Sequence, residues 1–344
     1  MARNLTTFLV LLLLVSGTAA QSRSRTTAPP RDPLVAMLPS SDMVVTLEAD
    51  GLFNTTLPQI LGANKTMLSN LDTSLERLKA QTGLDFRQTK KVVAGLTALK
   101  NEKNEIFYEP LIIVKGEFND SSVQEIVRLA SSGDFRIETV EGRTVYRFSV
   151  KEIAARNRPD GNTLLDSILQ TLIASLDREL ALVANDIETA VIGSPEKVSE
   201  FLLRRSKVTA EIVTQLNRRQ GALMRMVVVT PKGLEEFIRL DDDTLGDDLG
   251  AIRLMSGSLQ TGPKGVTVSM SARIASVSSA ISLKDTLDGF KSVFPTVFAG
   301  QRGEDKKIYG RMVESIKLSR TGAIINLDLT VPQGDIDVLL AEKK

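Results

Sequence analysis

Between Val266 and Ile274 the chain reads VTVSMSARI. It is apolar at Val266, Val268, Met270, Ala272 and Ile274, and polar at Thr267, Ser269, Ser271 and Arg273. A period of two predicts an extended strand with one buried face and one wet face. The signal recurs along the chain. MVVTLEAD (Met43 to Asp50), KKVVAGLTAL, YEPLIIVKGEF, ELALVAND and ETAVIG all read as strands. FRIETVEGRTVYRFSV reads as a hairpin turning at Glu141-Gly142.

Helical spacing alternates with these strands. From Asn64 to Thr82 an apolar stripe runs through Met67, Leu68, Leu71, Leu75 and Leu78, and Gly83 stands where a helix-ending glycine belongs. SSVQEIVRLA and Thr163 to Asp177 predict further helices. SPEKVSEFLLRRS predicts another, with Ser194 as N-cap and Pro195 as the first helical residue.

The second half replays this order. LMRMVVVTPKGLEEFIRL echoes the first strand and its helix, and DDLGAIRLMSGSL with VTVSMSARI echoes the next strand pair. LKDTLDGFKSVF answers VQEIVRLA, and the final segment answers the strand, turn, strand and helix ending near Leu203. The Glu141-Gly142 hairpin has no counterpart. Strands that arrive as hairpins need no crossover. The expected fold is therefore α+β: mostly antiparallel sheets built from hairpins, with helices packed on one face, in two related repeats at 34–220 and 221–344.

The first half resembles a loosely defined group of exported bacterial proteins without assigned activity. The resemblance lies in LPSSDMVVTLEADGL, TGLDFRQTKKVVAGL, PLIIVKGEF, EGRTVYRF and TAVIGSPEKVSEFL. It implies a repeated α+β exported domain and supplies no site residue.

The N-terminus reads as an address. Arg3, the apolar run Phe8 to Val15 and the small residues Ser16 to Ala20 form the layout of a secretory signal peptide, 1–20. Residues 21–33 are polar and proline-rich, as in a disordered leader. Later segments are too short or too polar to span a bilayer. The expectation is an exported mature chain, periplasmic or extracellular, without a transmembrane anchor.

Composition narrows the chemistry. Cysteine and histidine are both absent from the 344 residues. Disulfides, thiolate metal sites and imidazole acid–base catalysis are thereby excluded. The net charge of +1 and the absence of Trp argue against a nucleic-acid partner.

Two motifs carry candidate chemistry. Ser194-Pro195-Glu196-Lys197 matches the S-x-x-K nucleophile pattern of penicillin-binding proteins, with Arg320-Thr321-Gly322 a partial companion and no S-x-N element. As an N-cap followed by a helix-starting proline, Ser194 needs no catalytic role. The acidic run LDDDTLGDDLG offers Asp241, Asp243 and Asp247 as calcium ligands, but Leu245 and Ile252 stand where oxygen ligands are needed. No catalytic residue, cofactor or metal is assigned. The expected role is non-enzymatic binding or scaffolding in the cell envelope, with an envelope protein or an apolar ligand as partner. One alternative is a carrier of an apolar small molecule or lipid, its cavity lined by Met224, Met226, Met255 and Met270. A serine hydrolase using Ser194 and Lys197 ranks last.

Overall fold

Asp32 accepts a hydrogen bond from the Leu34 N–H, and Pro33 occupies the first helical position of α1 (Pro33–Met37). From this cap onward the computed structural model describes residues 32–100, 106–118, 120–149, 179–230, 250–299 and 304–341. The segments expected as a signal peptide and, up to Arg31, as a leader, the helix expected at Thr163 to Asp177 and the acidic run holding Asp241, Asp243 and Asp247 lie outside these residues.

The chain forms two compact units. The first comprises described residues of 32–55 and 65–210; the second comprises 56–64 and those of 211–344. Helix α2 (Leu57–Leu61) thus belongs to the second unit although its neighbours in sequence belong to the first.

The first unit contains β1 (Met43–Leu47), α3 (Lys65–Thr82), β2 (Lys91–Lys100), β3 (Ile106–Lys115) and α4 (Asp120–Ala130). It continues with β4 (Phe135–Val140), β5 (Arg143–Ser149), β6 (Glu179–Asp186), β7 (Thr189–Gly193) and α5 (Pro195–Leu203). Its strands lie in the order β1-β2-β3-β7-β6-β5-β4, every pair antiparallel. One face carries Leu180, Leu182, Ala190, Tyr146 and Phe148, packed against Val123 and Val127 of α4. The opposite face is buried as well: Leu111, Ile113, Ala181, Val183 and Val191 are 0–1% exposed. α5 packs on β3, β6 and β7, and Leu38 lies over Gly95. Double-sided burial explains why β6 and β7 read as nearly unbroken apolar runs.

The second unit contains α6 (Ala210–Asn217), β8 (Met224–Val229), β9 (Ile252–Gly262), β10 (Gly265–Ile274) and α7 (Val277–Ala299). Then come α8 (Glu304–Ser315), β11 (Lys317–Thr321), β12 (Ile324–Pro332) and α9 (Gln333–Leu340). Its strands run β8-β9-β10-β12-β11, again antiparallel throughout. Removing β4 and β5 from the first sheet leaves the same order: first, second, third, fifth, fourth.

The alternation of β10 resolves as the pattern requires. Its apolar side joins Ile252, Ile274, Ala280 and Leu283 in one cluster, while Leu327, Leu329, Val313 and Ile336 form another beneath α8 and α9. Gly257 pairs with both Met226 and Met270, whose side chains close over it; an added Cβ would meet Met270 Cγ at 2.8 Å. These methionines are packed core. α2 is held to the second unit by polar contacts. Thr56 and Thr261 hydroxyls lie 2.8 Å apart, and Gln59 Nε2 donates to the Gly262 carbonyl at 2.7 Å. Among the described residues no helix is long and apolar enough to cross a membrane.

Candidate functional site

Helix α3 ends because Gly83 takes φ +73°, a left-handed conformation that glycine adopts without penalty, and its N–H donates to the Lys79 carbonyl at 2.8 Å. The chain then turns back. Asp85 accepts from the Arg87 N–H at 3.1 Å and caps the short helical turn Phe86–Gln88. The Arg87 guanidinium reaches back to α3, donating to Glu76 at 2.6 Å and Asp72 at 2.9 Å. This ties the loop 83–89 to α3.

A cleft of about 580 Å³ opens between this loop, α4 and the sheet, all within the first unit. Its floor is apolar: Val114 of β3, Ala190 and Ile192 of β7, and Leu182 of β6. Register places Val114 beside Ala190 and Ile192 beside Leu182, so the four form one continuous patch. Leu84, Phe86, Phe118, Ile126 and Ile187 supply the walls. The Phe118 N–H donates to the Ile187 carbonyl at 2.9 Å and joins two of these walls.

Ion pairs stand along the rim. Lys79 donates to Asp85 at 2.9 Å, and Glu188 meets Lys115 at 3.0 Å and Lys90 at 3.5 Å. The hydrogen bond from Lys79 holds the Asp85 carboxyl below its usual range, against the opposing effect of burial. Glu188 is likewise lowered, first by the hydrogen bond from Lys115. Such a site can enclose an apolar body and ring it with fixed charge. Its wall carries the hydroxyls of Ser122 and Thr89 and the carboxyl of Glu117.

Ser194 sits elsewhere, at the start of α5 on the opposite side of the sheet. It is 7% exposed, and its Oγ accepts from the Lys197 N–H at 3.3 Å. Lys197 Nζ donates to Glu200 at 3.1 Å. The S-x-x-K residues are thus engaged in a cap and an ion pair. The calcium candidates Asp241, Asp243 and Asp247 lie outside the described residues. Among the described residues no three acidic side chains are grouped to hold a metal ion.

The cleft escaped sequence reasoning because three separate segments, 79–89, 114–126 and 182–192, build it. One signal was visible: Ile187 occupies the tip of the β6–β7 turn, where polar residues are usual, and is 80% exposed.

A second polar assembly lies on the polar face of the second unit's strands, where Ser256, Ser258 and Asn326 are buried rather than wet. Arg219, beyond α6, donates to Ser258 Oγ at 3.3 Å and to the Ser269 carbonyl at 3.0 Å. Ser271 donates to Asn326 at 2.8 Å, and Arg273 to Glu211 at 2.6 Å. Burial pushes the Arg219 guanidinium pKa down, with the Asp328 charge opposing. The polar side of VTVSMSARI therefore anchors α6 and its following turn.

No protein-family model and no curated protein matches the sequence. Among solved structures, crystal forms III and I of TP0453 are similar, with a TM-score of 0.44 each and sequence identities of 8% and 9%. The matches cover 90% and 91% of this chain, and 98% and 99% of that one. Likeness at this level carries no functional argument.

Proposed function

We propose that this chain is an exported, non-enzymatic cell-envelope protein that binds a small apolar ligand in the cleft of its first unit. The observation that carries the reading is the cleft itself: about 580 Å³, an apolar floor, and charges paired along the rim. That volume falls within the range of sites that enclose small molecules. The lack of His and Cys supports binding over catalysis. The signal-peptide layout supports export. The strand order shared by the two units supports an internal duplication, with the β4–β5 hairpin added to one copy.

Titration with the fluorescent probe N-phenyl-1-naphthylamine tests the ligand site. Saturable binding of one probe per chain is expected. Ile126→Glu places a carboxylate in the wall, and Ser122→Trp fills the space from the same wall; each should weaken binding about tenfold or more. A folded protein that takes up no probe, or whose uptake ignores both changes, refutes the proposal.

A further inference from the structure

Helix α5 ends on an unusual residue. Arg204 adopts φ +52° and ψ +35°, the left-handed conformation that helix ends normally give to glycine. A non-glycine residue there is strained, and such strain clusters where a side chain is needed in a particular place. Arg204 lines a pocket of about 340 Å³ in the first unit, on the α1 and α5 side of the sheet and away from the apolar cleft.

Two more cations line the same pocket, Arg143 from the start of β5 and Lys207 from the loop after α5. None of the three makes an ion pair among the described residues. No carboxylate stands on the pocket wall. Glu200 and Asp186, neighbours in sequence of lining residues Phe201 and Asn185, are already engaged. Glu200 accepts from Lys197 and from Ser206, and Asp186 accepts from Asn185 and from the Glu188 N–H. All three are exposed to solvent, and gathered on one concave wall they create a positive potential that an anion would neutralise. Met37, Phe201 and Leu202 add an apolar flank.

We propose that this pocket binds a phosphomonoester: a dianionic phosphate held by Arg143, Arg204 and Lys207, with a compact apolar body against Met37, Phe201 and Leu202. Guanidinium groups match phosphate oxygens in geometry, and two arginines with a lysine suit a dianion better than a monoanionic carboxylate. The site is separate from the apolar cleft, and the proposal stands or falls independently of that reading. The phosphate could belong to a free metabolite or to a lipid headgroup.

Calorimetry of the chain with phenyl phosphate, beside co-sedimentation with phosphatidic acid vesicles and phosphatidylcholine controls, tests the assignment. Binding of phenyl phosphate assigns the free ester; binding only to phosphatidic acid vesicles assigns the headgroup. In either case Arg204→Gly and Lys207→Gln should each weaken binding about tenfold, the usual scale for one charge-assisted contact, while Arg205→Gln, one residue outside the wall, stays within about twofold. Arg204→Gly relieves the backbone strain, so its loss of binding should accompany a higher melting temperature. Failure of both probes to bind, or an equal loss in Arg205→Gln, overturns the proposal.

Discussion

Lys79 Nζ lies 2.9 Å from Asp85 Oδ2, joining the last turn of α3 to the loop that walls the apolar cleft. The pair sets the pH range over which the wall is held. The Asp85 pKa is lowered from 3.8, so its contribution is full above that value and is lost as pH falls through the depressed one. The Lys79 pKa is raised from 10.5, so its contribution is full below that value and is lost as pH rises through the raised one. The melting-temperature gap between wild type and Asp85→Asn should be constant from about pH 5 to 9 and close toward about pH 2. A gap that widens in acid contradicts the assignment.

Gly193 and Gly310 make opposite forecasts. A Cβ on Gly193 would lie 2.3 Å from the Pro110 carbonyl oxygen, inside the sheet. Gly193→Ala should cost about 1–3 kcal/mol or more in denaturant melts. Gly310, within α8, has open space where a Cβ would stand. Gly310→Ala should stabilise by about 0.5–1 kcal/mol through the smaller backbone entropy lost on folding.

Arg219 carries the polar face of the second sheet. Arg219→Leu leaves the buried Ser258 hydroxyl and the Ser269 carbonyl without this donor. A loss of about 1–3 kcal/mol is expected, read as a lower urea midpoint. An unchanged midpoint would show that water replaces the guanidinium at no cost.

Ser194 distinguishes cap from nucleophile. Ser194→Ala should destabilise by about 1 kcal/mol, and Ser194→Asp should restore most of that. Wild type should not react with a fluorophosphonate probe. Labelling of wild type that disappears in Ser194→Ala would establish the hydrolase instead.

Elements with strong periodicity were legible without coordinates. The stripe from Met67 to Leu78 sits on α3, the Glu141-Gly142 turn joins β4 to β5, and Ser194 caps α5. α8 was not foreseen, because its sequence EDKKIYGRMVES is charged and interrupted by Gly310. Residues 56–64 read as part of the first unit by position, yet Gln59 and Asn64 bond into the second.

Local pattern determined the strands, the helices, the antiparallel pairing of hairpins and the exclusion of imidazole and thiol chemistry, because each depends on spacing or residue type alone. Tertiary structure decided the rest. It placed β7 beside β3, buried both faces of the first sheet, and drew Lys79, Phe118, Ile126 and Ile187 around one cleft. It also set Arg143 and Arg204 on one wall, although sixty positions separate them. A cleft is made by side chains that packing brings together across long loops, and no periodicity along the chain encodes those distances.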